Sequence, residues 1–69
     1  MTTEKKAIHN NIAELRKAKG YSQVGFAEAV NITHWWLNDI ENGREQPGLN
    51  LSMRIADKLG VTLNDLFLK

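Results

Sequence analysis

Three side chains suited to molecular recognition lie close together in one short segment, namely His34, Trp35 and Asp39. An imidazole donates or accepts hydrogen bonds, an indole offers a flat apolar face, and a carboxylate accepts hydrogen bonds. No Ser-His-Asp set, paired carboxylates or glycine-rich phosphate loop accompanies them, so no catalytic residue is assigned. The two histidines also lack neighbouring ligands, and we therefore expect a non-enzymatic binding protein without a metal or a cofactor.

The segment that positions these residues, 20–43, predicts two short amphipathic helices joined by a polar turn. Ser22 is a good N-cap for a helix over about 23–30, and Thr33 is a good N-cap for one over about 34–42. A glycine stands at each outer end of the segment and favours termination there. Two short helices with a tight turn between them are typical of a DNA-binding helix-turn-helix.

Three further helices are predicted around this pair. Apolar residues at helical spacing and a basic last turn predict a helix over 4–19, and a second such pattern before a glycine predicts one over 49–59. A Thr-x-x-Asp capping pattern precedes a short last helix over 63–68. Asn31 tolerates left-handed backbone and suits the central turn. No strand pattern or linker appears, so we expect an all-α protein.

Chain length, composition and net charge limit the class of protein. A chain of 69 residues without cysteine forms at most one domain, here 1–69, and suits a reducing compartment. No apolar run reaches the roughly 18 residues that span a bilayer, and the first residues lack a signal peptide, which indicates a soluble cytoplasmic protein with no membrane partner. The formal net charge is only +1, but it divides into +3 over residues 1–21 and −3 over residues 22–43. The net charge alone therefore does not indicate a nucleic-acid partner.

A series of motifs over residues 8–68 carries a family resemblance: Gly20-Tyr21-Ser22-Gln23, Phe26-Ala27, Ile32-Thr33, Ile40-Glu41-Asn42-Gly43, Pro47, and Leu59-Gly60-Val61 with Leu66-Phe67. In this order and spacing they closely resemble the lambda-repressor and Cro family, also called XRE-type helix-turn-helix proteins. The resemblance implies a compact five-helix fold that binds double-stranded DNA. The helix over 34–42 would then lie in the major groove.

The resemblance also implies roles for individual residues. The base contacts that we expect from it are His34, Trp35 and Asp39, with Asn38 as a secondary contact. The phosphate contacts that we expect are Gln23, Asn42 and Arg44, and Lys17 and Lys19 are suitable further phosphate partners. Family members hold an ion pair at the positions of Arg16 and Glu41, for which we expect a structural role.

Helical geometry supports an outward position for the expected base contacts, because they fall opposite Leu37 and Ile40. Each still has a plainer interpretation. His34 and Asn38 could be ordinary surface residues, although a base contact by His34 would make the DNA affinity of the protein depend on pH. Asp39 could be a solvated charge or a partner in a salt bridge between helices. Trp35 could cover a thymine methyl group or make a protein contact.

One recognition helix covers few base pairs, so proteins of this architecture usually bind DNA as dimers. We therefore expect a homodimer on a palindromic operator, with Leu63 and Leu68 at the contact between subunits and other apolar residues of the last helix in the core. The leading hypothesis is a small sequence-specific transcriptional regulator, expected to be a repressor. The alternative is a protein-interaction module that uses the surface of Trp35 and Trp36.

Overall fold

Residues 10–67 form five α-helices connected by short turns. The structure, a computed structural model, describes residues 10–67, and none of these residues lies in a β-strand. In chain order the helices are α1 (Ile12–Ala18), α2 (Gln23–Ala29), α3 (His34–Glu41), α4 (Leu49–Leu59) and α5 (Leu63–Phe67). The predicted all-α fold is therefore confirmed. No helix in the described part of the chain is long and apolar enough to cross a membrane.

The first helix differs from the predicted span, which began at residue 4. Residues 4–9 lie outside the described part, but Asn10 and Asn11 are described and are not helical, and α1 begins at Ile12. Asn10 Oδ1 accepts a hydrogen bond from Ile12 N at 3.0 Å, while its Nδ2 donates to the carbonyl of Ile40 at 2.8 Å. The asparagine side chain thus competes with helical bonding and ties the start of α1 to α3.

Capping side chains define the two helices of the helix-turn-helix. Ser22 Oγ accepts from the backbone N–H of Gly25 at 2.9 Å, and Thr33 Oγ1 accepts from that of Trp36 at 3.1 Å. Between the helices, Asn31 adopts a left-handed conformation with φ of 66°, which lets the chain reverse within a few residues. Both predicted caps and the predicted turn residue are confirmed, and they fix where α3 begins.

The core lies where all five helices meet. Its fully buried large side chains are Ile12, Phe26, Leu37, Ile40, Ile55, Leu59 and Leu66. α3 contributes Leu37 and Ile40 to this cluster, so one side of α3 is fixed against the other helices and its opposite side is left to solvent.

The C-terminal helix is held by a reciprocal pair of caps. Thr62 Oγ1 accepts from the backbone N–H of Asp65 at 3.2 Å, and Asp65 Oδ2 accepts from that of Thr62 at 3.0 Å. The predicted capping pattern is therefore present, and α5 is described as far as Phe67. Leu68, expected at the subunit contact, lies outside the described residues.

Loss of the α2 cap is expected to weaken the fold measurably. Replacing Ser22 with alanine removes the acceptor of the Gly25 N–H and should lower the free energy of unfolding by about 1 kcal/mol. Urea unfolding followed by circular dichroism measures the change. Ser22→Asp keeps a capping oxygen and serves as the control. Equal losses in the two variants would contradict a capping role.

Candidate nucleic-acid interface

The side of α3 that faces away from the core carries the residues expected to recognise a partner. Leu37 and Ile40 are fully buried, whereas Trp35 is 71% exposed, and Trp36 lies at the boundary between the two sides with 42% exposed. We call this side the outward face, which consists of His34, Trp35, Asn38 and Asp39 of α3 and its C-cap residue Asn42. The helix thus separates a packed side from a side available for contact.

The first turn of the outward face holds an aromatic stack. The ring centroids of His34 and Trp35 are 4.0 Å apart, with 31° between the ring planes. The indole of Trp35 is thus in contact with an imidazole although most of its surface is exposed. Within residues 10–67 no group of three or more His, Cys, Asp or Glu side chains could hold a metal ion.

A buried ion pair anchors the last turn of α3 to α1. Arg16 Nε donates to Glu41 Oε2 at 2.7 Å and Arg16 Nη2 donates to Oε1 at 3.2 Å, a bidentate arrangement. Only 8% and 6% of the two side chains is exposed. Arg16 Nη1 also donates to the carbonyl of Tyr21 at 2.9 Å, just before α2. One guanidinium therefore fixes α3 relative to the segment that leads into α2.

The ion pair extends into a chain of amide side chains that sequence reasoning missed. Gln23 Nε2 donates to Glu41 Oε1 at 3.1 Å and to Asn38 Oδ1 at 3.3 Å. Asn42 Nδ2 donates to the same oxygen at 3.2 Å and to the backbone carbonyl of Asn38 at 2.9 Å. The spacing of positions 38, 41 and 42 on one helix was the available signal, but the bond across to α2 was not predictable from it.

The second acid of α3 is also paired. Asp39 Oδ1 accepts from Arg44 Nη2 at 3.0 Å and from Arg44 Nε at 3.1 Å. This pair is open to water, with 59% of the Arg44 side chain and 47% of the Asp39 side chain exposed. Arg44 lies in the turn after α3, so Asp39 forms a salt bridge in the free protein, but not the bridge between helices that was one of its plainer interpretations. The carboxylate still has its second oxygen, Oδ2, available to accept from a donor.

These ion pairs offset part of the negative charge of residues 22–43. Of the three acids in residues 22–43, Glu41 and Asp39 each contact an arginine, and only Glu28 has no ion pair among the described residues. Lys17 and Lys19 are exposed and stand outside the ion pairs of residues 10–67. The local charge near α3 is therefore much less negative than the sequence count indicates.

A separate groove lies between α4 and α5, and none of its lining residues belongs to the outward face. Its volume is about 490 Å³, and its lining residues are Met53, Arg54, Ala56, Asp57, Val61 and Leu63. Leu63, expected at a subunit contact, is half-buried here, and Met53 is 53% exposed. Apolar side chains and one charge of each sign are thus brought together on the surface.

Comparison with known proteins agrees with this geometry. Residues 12–66 match the helix-turn-helix family. The chain is 38% identical over 55 residues to the HTH-type transcriptional regulator YazB of Bacillus subtilis, covering 80% of each chain. It is 36% identical over 59 residues to the control protein C.MunI of a Mycoplasma species, covering 84% of this chain and 80% of that protein.

A solved structure is similar in fold. The restriction-modification controller protein C.AhdI of Aeromonas hydrophila superposes with a TM-score of 0.74 at 25% identity, covering 80% of each chain. These comparisons give no support to the alternative of a protein-interaction module, and the family is not a class of enzymes. The chain belongs to the XRE-type helix-turn-helix family of DNA-binding transcriptional regulators.

Proposed function

We propose that this regulator reads a specific duplex sequence by placing the outward face of α3 in the major groove. The observation that carries the proposal is the exposed, stacked Trp35 on a helix whose other side is buried. A major groove admits one α-helix, and base edges are read there by hydrogen bonds and apolar contacts. The buried ion pair and the caps supply a rigid support for such a reader.

The base contacts that we propose follow from the chemistry of each side chain. Trp35 covers a pyrimidine C5 methyl group, and His34 donates to a purine N7. Asp39 accepts from a cytosine N4 amino group through Oδ2, while Arg44 on Oδ1 offsets the repulsion between this carboxylate and nearby phosphates. Asn38 is the fourth proposed base contact, and its side chain accepts hydrogen bonds from Gln23 and Asn42.

The phosphate contacts divide into two groups. Arg44, Lys17 and Lys19 carry exposed cationic groups and are proposed to bind phosphate oxygens. The contacts expected of Gln23 and Asn42 stay predictions, because each amide nitrogen donates two hydrogen bonds within the free protein. A phosphate contact by either would require the loss of one of these bonds.

Selection of duplexes from a random pool tests the proposed function. We expect recovery of a defined palindromic motif and an affinity that falls steeply with added salt, since bound cations are released from phosphates on binding. Replacing both Trp35 and Asp39 should alter the recovered motif. Recovery of no motif, or binding that is insensitive to salt, would contradict the proposal.

A homodimer is proposed for the bound state, with the groove between α4 and α5 as its interface. In a two-fold dimer this surface meets itself, so Arg54 of one subunit can face Asp57 of the other while Met53 and Leu63 are covered. The recognition helices would then read half-sites about 34 Å apart. Charge complementarity within one small apolar groove supports a second copy of the chain as the occupant.

Replacing Met53 with glutamate is expected to shift the protein toward the monomer. Because Met53 is 53% exposed, the added charge should leave the fold intact while opposing burial in a subunit contact. Sedimentation equilibrium measures the dimer dissociation constant, which should rise about tenfold or more. The control is Val24→Glu, which adds the same charge to an exposed position of α2. This helix already carries an exposed acid, Glu28. Equal dissociation constants for the parent and Met53→Glu would contradict this interface.

Repression is the proposed direction of regulation. A protein seated in the major groove excludes other proteins from the same duplex segment, so repression needs no surface beyond those described. Transcription from a promoter that contains the selected motif should fall on addition of the protein. An increase would contradict repression.

A further inference from the structure

We propose that Asn38 presents only hydrogen-bond donors to DNA and that Gln23, together with Asn42, is the positioning residue that sets this polarity. The inference rests on the proposed function and deepens it, because it names which base edges Asn38 can read. An asparagine side chain has an acceptor oxygen and a donor nitrogen at opposite corners of its amide. Without neighbours it could turn either end outward.

The first constraint on that orientation comes from the buried ion pair. Glu41 is bonded to Arg16 in a bidentate pair, so its carboxylate only accepts. Gln23 must therefore direct its amide nitrogen, Nε2, toward Glu41 Oε1. The same nitrogen reaches Asn38 at 3.3 Å and can be satisfied there only by an oxygen.

The second constraint comes from Asn42 and is independent of the first. Asn42 Nδ2 donates to the backbone carbonyl of Asn38, an acceptor, which fixes nitrogen as the atom that faces Asn38. It also lies 3.2 Å from Asn38 Oδ1. Two donors, each oriented by a different acceptor, thus meet one oxygen of Asn38.

The remaining end of the Asn38 side chain is its Nδ2 group. No hydrogen bond among residues 10–67 uses this nitrogen as a donor, and no buried side-chain nitrogen or oxygen in that range lacks a partner. Nδ2 is therefore accessible to solvent on the outward face. Asn38 can donate to guanine N7 or O6, adenine N7 or thymine O4, but it offers no acceptor to the cytosine N4 amino group.

Asn38→Asp tests this polarity. The new carboxylate keeps one oxygen for Gln23 and Asn42 and turns the other outward, so an acceptor replaces the donor. In random-pool selection we expect one base pair of the motif to change from an acceptor edge to the cytosine edge, with about a tenfold change in discrimination there. Asn38→Ala should lose preference at the same base pair and gain no new one.

Gln23→Met tests the positioning role, because methionine is similar in length but cannot hydrogen-bond to Asn38. Glu41 keeps both bonds from Arg16 in this variant, so no buried charge is stranded. Preference should weaken at the Asn38 base pair, where Asn42 alone still orients the amide, and stay unchanged elsewhere in the motif. A role limited to stability would instead weaken binding to all sequences equally.

A measurement without DNA separates the inference from the proposed function. In the free protein, side-chain amide protons of Gln23 and Asn42 should exchange with water more slowly than those of Asn38, as followed by nuclear magnetic resonance. Slow exchange at Asn38, or a motif that Asn38→Asp leaves unchanged, would overturn the inference alone. A parent protein that selects no motif would overturn both the proposed function and the inference.

Discussion

Replacing Glu41 with alanine is expected to lower the free energy of unfolding by about 3–5 kcal/mol. The variant leaves Arg16 charged at a site where only 8% of its side chain is exposed, and Gln23 loses an acceptor at the same time. An unpaired buried charge costs far more than the pair contributes, because water cannot replace the lost partner. Urea unfolding followed by circular dichroism measures the loss.

The exposed pair on the same helix is a matched control. Asp39 also pairs with an arginine, at 3.0 Å, but 47% of its side chain is open to water. Asp39→Ala should therefore change the free energy of unfolding by no more than about 1 kcal/mol. Similar losses for Asp39→Ala and Glu41→Ala would mean that burial is not what makes the Arg16 pair important.

Replacing Trp35 with alanine is expected to weaken binding to the selected duplex by roughly tenfold or more, since a good base contact contributes about 1–3 kcal/mol. Stability should change little, because the indole is 71% exposed and lies outside the buried core. The loss should concentrate in sequence preference, since non-specific affinity comes from phosphate contacts. Fluorescence anisotropy with selected and scrambled duplexes measures the specific and the non-specific affinity.

Trp36 offers a control of the same residue type one position along α3. It lies about 100° around the helix from Trp35, and it is 42% exposed at the boundary with the core. Trp36→Ala should lower stability and leave discrimination between selected and scrambled duplexes unchanged. Equal loss of discrimination in both variants would remove the special role of the outward face.

The helices were predictable where local chemistry decides their ends. Ser22 and Thr33 cap α2 and α3 through bonds to residues three positions later, which spacing alone reveals. The start of α1 was not predictable in this way. Asn10 lies before α1 and is not helical, because its side chain donates a hydrogen bond to the carbonyl of Ile40, 30 positions away in the sequence. Contacts of that kind depend on the packed fold.

The site was predictable to a similar extent. Side-chain spacing identified the outward face, and the family resemblance implied the contact between Arg16 and Glu41, which the structure contains. The charge count over residues 22–43 was a poor guide to the charge near α3, because it left out Arg16 and Arg44, which pair with Glu41 and Asp39. The bond from Gln23 to Asn38 depends on how α2 and α3 cross, and no pattern within either helix specifies that angle.

Intermolecular nuclear Overhauser effects between the protein and its selected duplex give the most direct test of how α3 is used. Contacts are expected between side-chain protons of Trp35, His34 and Asn38 and base protons that line the major groove, such as thymine methyl and cytosine H5. If these side chains show no contact with DNA while residues of α4 or α5 contact the bases, α3 is not the element that reads the duplex.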